Sequence, residues 1–120
     1  MGETTLYHIK GPRATWHSIM KERTHAIGNY EKIVVKTRRL DVLFHELKIT
    51  ECDLLKIYVE GAEYLVLVGL GQRLSTVKKI IYETSEKDCC EPLLKSFGFD
   101  IVHAFNMSGS KYKIAINQQH

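Results

Sequence analysis

The chain has 120 residues, 44% of them hydrophobic and 26% charged, which is typical of one globular domain rather than of a disordered chain. Its net charge of +3 is too small to indicate a nucleic-acid or anionic-membrane partner. No apolar run reaches the roughly 18 residues that a membrane span needs, and the N-terminus lacks a signal-peptide pattern. We therefore expect a single domain in a soluble, cytoplasmic protein.

The cysteines and histidines indicate neither a disulfide framework nor a metal site. The cysteine count is odd, and two of the three residues, Cys89 and Cys90, are adjacent. The sequence contains no CxxC pattern, and its six scattered histidines form no HExxH or HxxxH pattern. We expect free thiols and no metal.

The N-terminal region predicts a hairpin. Residues 4–9 are β-branched and aromatic and are followed by Gly11 and Pro12, so they predict a strand that ends there. Residues 33–38 predict the second strand. Residues 13–29 are polar and irregular, and we expect a long loop with at most one short helix.

Strands and helices alternate after the hairpin. Residues 40–47 predict a helix in which Asp41 caps the N-terminus and apolar residues, including Phe44 and Leu47, share one face. Residues 53–59 are almost continuously apolar, as expected for a strand covered on both faces, and Gly61 ends that strand.

The remaining elements complete an α/β pattern. They are a helix over 62–70, a strand over 77–84, a helix over 88–97, and strands over 99–105 and 111–117. The last two strands are joined by a loop over 106–110 and should pair antiparallel. Buried strands that alternate with helices predict a parallel sheet, which the final hairpin makes mixed.

Acidic residues follow two of the predicted parallel strands. Glu60 and Glu63 flank Gly61 after one strand, and Glu83 lies near the end of the next. Because ligands of α/β proteins bind at the carboxyl ends of the strands, these acids could bind a cationic or hydroxyl-bearing group or assist proton transfer. Alternatively, Glu63 only complements the helix dipole and Gly61 only forms the turn.

Other sequence patterns give little indication of a catalytic or cofactor site. Gly69-Leu70-Gly71 begins like a dinucleotide loop, but it follows a helix and residue 74 is Leu, so it indicates a helix end. No GxSxG nucleophile pattern occurs. The basic residues Lys36, Arg38 and Arg39 indicate either a solvated strand edge or a weak anion site.

Five segments together resemble the FkbM-type S-adenosylmethionine-dependent methyltransferases. The most specific is the run Asp-Leu-Leu-Lys-Ile-Tyr-Val-Glu-Gly-Ala-Glu at 53–63. The others follow the family order, and they lie at 35–41, 66–70, 80–83 and 98–102. The resemblance covers about residues 35–103.

This resemblance implies a class I, Rossmann-like methyltransferase sheet, S-adenosylmethionine as cofactor and a hydroxyl-type methyl acceptor. Glu60 and Glu63 match the family motif and are implied to be catalytic, and Glu83 is a candidate substrate-binding residue. Tyr58 stands where the family has an Asp that faces the methyl group. A tyrosine has a pKa near 10, so it can hydrogen-bond a substrate but cannot replace an ionised carboxylate at pH 7.

The family also has parts that these residues lack. Its fold opens with a strand and a glycine-rich loop that holds the cofactor, and a second strand ends in an acid that binds the ribose. Residues 40–120 therefore resemble only the C-terminal part of a truncated fold, and residues 1–39 form the hairpin region of the same single domain.

Truncation would leave the strand over 53–59 without neighbours on one side. An apolar strand edge is a pairing hazard, so we expect the N-terminal hairpin, a second copy in a homodimer, or the missing N-terminal half to cover it. A peripheral, solvent-exposed position for residues 54–59 would contradict the idea that this strand is an inner one.

Two functions compete. The chain is either the catalytic part of a methyltransferase that a partner or second copy completes, or an inactive remnant that acts as a binding or assembly module. The family motif favours the first, whereas Tyr58 and the absent glycine-rich loop favour the second for the isolated chain.

Overall fold

The structure is a computed structural model that describes residues 2–9 and 30–119. These residues divide into two compact units. The first unit contains an N-terminal hairpin and the short segment Val59–Ala62, and the second contains Arg39–Tyr58 and the residues from Glu63 onward. The predicted loop over 13–29 lies outside the described residues.

The first unit is built on the predicted hairpin. Strand β1 (Gly2–Ile9) pairs antiparallel with β2 (Tyr30–Thr37), from Gly2 opposite Thr37 to Ile9 opposite Tyr30. These two strands form a sheet separate from that of the second unit. The prediction of two N-terminal strands is confirmed, with each strand beginning two to three residues earlier than expected.

The second unit contains a mixed four-stranded sheet in the order β3-β4-β6-β5. Its strands are β3 (Leu55–Ile57), β4 (Lys79–Thr84), β5 (Phe99–Met107) and β6 (Ser110–Asn117). β3 is parallel to β4, whereas β4 and β5 are both antiparallel to β6. The predicted mixed α/β architecture is confirmed.

Helices cover one face of this sheet. They are α1 (Leu40–Glu46), α2 (Glu63–Leu70), a 3-10 helix (Gly71–Thr76) and α3 (Cys90–Ser96). Their apolar residues pack with the strand residues Ile57, Ile80, Tyr82 and Ala115 in one core. Because side chains alternate along a strand, these four residues define the helix face, and Glu83 and Tyr112 lie on the opposite face. Within the described residues, no helix is long and apolar enough to cross a membrane.

A β-bulge in β5 changes which face its residues occupy. Ile101 pairs with Ala115 and His103 pairs with Ile114, so Val102 is an extra residue in the ladder. Phe99 and Ile101 therefore belong to the helix face. His103 and Phe105, which would otherwise follow them on that face, belong to the opposite one.

The strand predicted over 53–59 differs from expectation. Only Leu55–Ile57 forms the ladder, and β3 is an edge strand of the four-stranded sheet. Leu54 is 54% exposed and Tyr58 is 48% exposed. The prediction of an inner strand covered on both faces is therefore wrong for the described residues. An apolar run does not specify how many of its residues pair with a neighbouring strand. Within the described residues, β3 has a neighbour on one side only, and that neighbour is β4.

Smaller predictions are also corrected. Arg39, not Asp41, is the N-cap of α1, and Asp41 lies in its first turn with its carboxylate accepting a hydrogen bond from the Val42 N–H. Leu47 is exposed rather than buried beside Phe44. The expected five-residue loop between the last strands is a two-residue turn, Ser108-Gly109.

Candidate functional site

The carboxyl ends of β3 and β4 bring two predicted site residues together. Ile57 pairs with Tyr82, so the residues that follow them, Tyr58 and Glu83, leave neighbouring parallel strands at the same level of the sheet. Glu83 also pairs with Tyr112 of β6. This is the edge at which open α/β sheets bind ligands.

Four aromatic rings line this edge on the opposite face, and we call them the aromatic row: Tyr58, Tyr112, Phe105 and His103. Neighbouring rings are nearly parallel. Tyr58 and Tyr112 have ring centroids 6.0 Å apart, Tyr112 and Phe105 5.4 Å, and Phe105 and His103 5.7 Å. These spacings are within the range of favourable offset stacking. The row therefore forms a continuous aromatic surface across the sheet.

Glu83 lies beneath this surface. Its strand runs between those that lead to Tyr58 and carry Tyr112, and the stacked rings of these two tyrosines span it. Glu83 is 4% exposed and Tyr112 is 8% exposed. A carboxylate is costly to bury, so the buried Glu83 depends on interactions within the fold.

Glu63 is placed differently from Glu83. It begins α2 and is 5% exposed, and a carboxylate in the first turn interacts favourably with the helix dipole. Burial, the Asp88 charge and then the Glu63 charge raise the pKa of the Cys90 thiol to about 12. Glu63 is therefore close to α3 on the helix side of the sheet. Cys90 is a neutral thiol at pH 7, which makes it a poor nucleophile.

Glu60 belongs to the first unit, in the turn Val59–Ala62. The Ala62 N–H donates a hydrogen bond of 3.3 Å to the Val59 carbonyl. Glu60 has a φ of 51° and Gly61 a φ of 100°, so both lie in the left-handed region. That conformation is ordinary for glycine but uncommon for glutamate, and Glu60 is nevertheless 9% exposed. Strained residues of this kind are concentrated at functional sites.

An ionic network fixes β4 next to Glu83. The Asp88 carboxylate accepts hydrogen bonds of 2.8 Å from the Tyr82 hydroxyl and 2.9 Å from the Cys90 N–H, and it forms a 2.8 Å ion pair with Lys113. Burial alone would raise the pKa of Asp88, but these donors outweigh it and hold the pKa below its usual value. The network holds Tyr82, and thus the adjacent Glu83, at a fixed level of the sheet.

Sequence reasoning identified Tyr58, Glu60, Glu63 and Glu83 but missed the rest of the aromatic row. One signal was available, because Phe105 and Tyr112 are equally far from the Ser108-Gly109 turn and must therefore pair in a two-residue hairpin. His103 had no such signal, since the bulge at Val102 decides its face.

The other candidate sites receive less support. No cluster of three His, Cys, Asp or Glu side chains suited to a metal ion occurs in the part of the chain that the structure describes. In the predicted basic cluster, Arg39 forms a 2.7 Å ion pair with Asp41.

Two similarities to known proteins bear on the function of this chain. A family model described as the methyltransferase FkbM domain matches residues 1–107. The chain is also 37% identical over 76 residues to the AMB antimetabolite synthetase AmbE of Pseudomonas aeruginosa, a match that covers 55% of this chain and 4% of that protein. The chain thus corresponds to a small part of that relative's length. No solved structure matches.

Proposed function

We propose that this chain, which belongs to the methyltransferase FkbM family, is the C-terminal part of a class I methyltransferase fold. In this proposal it transfers a methyl group from S-adenosylmethionine to a hydroxyl-type acceptor after a partner supplies the cofactor-binding half, whereas a second copy would complete only the edge of the sheet. The observation that carries the proposal is the family match, and the parallel β3–β4 pair with a reversed β5–β6 hairpin supports it.

The residues of this chain do not by themselves fit the cofactor. The family's cofactor loop is glycine-rich and follows a strand, whereas no G-x-G-x-x-G pattern occurs in these 120 residues. The glycines of the described part with positive φ lie at 61, 71, 98 and 109, which are separate turns and helix ends. We therefore assign this chain the acceptor side of the reaction and derive no step through the cofactor.

The acceptor side needs a group that positions the hydroxyl and a group that takes its proton. The Tyr58 hydroxyl can donate a hydrogen bond to the acceptor or accept one, and its ring is held by Tyr112. The acceptor hydroxyl loses its proton to a carboxylate, for which we propose Glu60, because its strained backbone conformation is one that functional sites retain. Glu63 is the second candidate for this role.

Titration calorimetry with S-adenosylmethionine tests the proposal. We expect no heat from this chain alone at millimolar cofactor. We expect micromolar binding when it is mixed with a polypeptide that carries the first strands and glycine-rich loop of an FkbM methyltransferase, with that polypeptide alone as the baseline. If the mixture binds cofactor no more tightly than its separate components, the proposal of completion by a partner is wrong.

A variant pair tests the role of Glu60. In the completed protein, Glu60→Gln should lower methyl transfer about 100-fold, because a positioned general base contributes roughly that much or more. The matched control is Glu86→Gln, which removes an exposed acid of the β4–α3 connection and should leave transfer unchanged.

The alternative function is an inactive binding or assembly module. Tyr58, which stands in place of the acid in the family motif, is the observation that favours it. A mixture that binds cofactor but transfers no methyl group, even after Tyr58→Asp, would support this alternative over the enzyme.

A further inference from the structure

We propose that the outer edge of β5 pairs antiparallel with the same edge of a second copy, so that the two four-stranded sheets join into one continuous sheet. This edge is distinct from that of β3, which lies at the other end of the strand order. The inference rests on the pattern of β5 alone and does not depend on the proposed function.

β5 is an open edge strand. It is nine residues long and last in the order β3-β4-β6-β5, so within the described residues it pairs with β6 alone. Its residues 103–107 contain no proline, lysine, arginine or acid, and Met107 is 57% exposed. Charged residues, proline and bulges are what natural edge strands use against pairing with other chains. Over these five positions β5 has none of them, and its bulge lies just before, at Val102.

The hairpin turn decides which backbone groups of β5 point outward. Met107 precedes the two-residue turn and forms a hydrogen-bonded pair with β6, as the flanking residues of such hairpins do. Because hydrogen-bonded pairs alternate along an antiparallel ladder, Phe105 and His103 also direct their N–H and C=O groups toward β6. Ala104 and Asn106 therefore direct theirs away from it. In the part of the chain that the structure describes, these outward groups have no hydrogen-bond partner.

A two-fold register centred on Phe105 satisfies these outward groups. Ala104 of each copy then lies opposite Asn106 of the other, and each such pair exchanges both of its N–H···O=C hydrogen bonds. Phe105 lies opposite Phe105 of the second copy in a non-hydrogen-bonded pair, where side chains approach most closely. Val102 falls opposite Ser108 of the turn, so the bulge lies outside the new ladder. The edge is thus complementary to itself, as a two-fold interface requires.

The charges are also compatible with a second copy as the occupant. Asp100 is the one acidic residue of β5, and the strand contains no lysine or arginine. In this register the two Asp100 side chains lie at opposite ends of the ladder, roughly 30 Å apart at about 3.3 Å per residue. His103 lies opposite Met107 of the second copy rather than opposite a charged group. No like charges therefore meet across the interface.

The pairing extends the aromatic row. Phe105 stacks on Tyr112 at a ring-centroid distance of 5.4 Å and on His103 at 5.7 Å. The second copy adds its own Phe105 beside this stack, and a cross-strand aromatic pair stabilises an antiparallel ladder. The new ladder is short, so we expect weak association, with a dissociation constant on the order of 100 µM.

Sedimentation equilibrium of the full chain with Leu54→Lys tests the inference, because this substitution opposes pairing at β3 and leaves β5 intact. We expect a monomer–dimer equilibrium. Ala104→Lys with Asn106→Lys places like charges opposite each other and should weaken dimerisation at least about tenfold. Ala104→Glu with Asn106→Lys places opposite charges there and should keep or strengthen it. The control for added charge is Gln72→Lys with Ser96→Lys, at exposed positions on helices, which should leave dimerisation unchanged.

Amide hydrogen exchange, followed by NMR at low and high chain concentration, locates the interface. The outward N–H groups of Ala104 and Asn106 should exchange at least about fivefold more slowly at high concentration. The N–H of Phe105, which already bonds to β6, should change little. Three results would each overturn the inference: a monomer at every concentration, equal dimerisation of the two double variants at 104 and 106, or a dimer that protects neither outward N–H group.

Discussion

The Asp88 carboxylate joins the start of α3 to two strands of the sheet. It caps the helix through the N–H groups of Cys90 and Glu91, accepts a hydrogen bond from Tyr82 and pairs with Lys113. Its side chain is 8% exposed and that of Lys113 is 15% exposed. Removal of the acid would leave a largely buried ammonium group without its closest partner. Such a loss costs far more than the loss of an exposed ion pair.

Asp88→Asn should lower the free energy of unfolding at pH 7 by about 2 kcal/mol, because the amide keeps the cap but loses the charge. Since the folded pKa of Asp88 is depressed, its contribution to stability is present above the unfolded pKa of about 3.9 and is lost as the pH falls through the folded pKa. Urea unfolding from pH 7 to pH 2 should therefore show a smaller acid-induced loss in the variant. Asp100→Asn, at an exposed strand position, is the control. Parallel pH profiles for wild type and Asp88→Asn would contradict this account.

At the scale of single elements, the β5–β6 hairpin depends on its turn. Ser108 has a φ of 52° and Gly109 a φ of 81°, the pattern of the type I′ turn that suits two-residue hairpins. A Cβ at position 109 would meet nothing within 4 Å, so a substitution there changes backbone strain without creating a clash.

Gly109→Ala should therefore lower the free energy of unfolding by about 1 kcal/mol, measured by urea titration. The control is the same substitution in a helix. Gly69 lies in α2, where an added Cβ would make an ordinary 3.6 Å contact with the Leu40 backbone nitrogen. Gly69→Ala should be neutral or stabilising by up to about 1 kcal/mol, because alanine favours helices. Equal losses at both positions would show that backbone conformation is not the cause.

The sequence was sufficient to predict most elements, because their signals are local. The alternation of apolar segments with Gly61 and Gly98 at element ends indicated the order of strands and helices. The extent of β3 was not predictable, since Leu54 and Tyr58 continue the apolar and aromatic run of the paired residues Leu55 and Ile57. In the candidate site, the acids follow their strands directly and were identified from the sequence. Strand register places Tyr112 at the site, and the β-bulge places His103 there. Both depend on how the strands pair in the folded protein.

At the scale of the whole molecule, β3 presents a strand edge of the four-stranded sheet with the exposed Leu54 beside it. Strand edges with apolar neighbours tend to pair with other strands. The proposal that a second copy or a partner completes the fold places this pairing at β3.

The chain should therefore self-associate through β3 in the absence of a partner, as measured by light scattering over a concentration series. Leu54→Lys should raise the dissociation constant at least about tenfold, because a charge at an edge opposes pairing. Leu65→Lys is the control, since Leu65 is also exposed but lies on α2. A monodisperse wild-type monomer at all concentrations would exclude the second copy and leave a different partner as the completing chain.

The extra residue at Val102 has a consequence for how variants of this protein are compared. Deleting that one residue would remove the bulge and make the ladder regular, while His103 would still lie opposite Ile114 and Phe105 opposite Tyr112, so their side chains would keep their face. A homologue one residue shorter at this point would thus keep the positions of the aromatic row, although its alignment with this chain needs a gap inside the strand. Pairwise identity along this strand is informative only after the indel has been located.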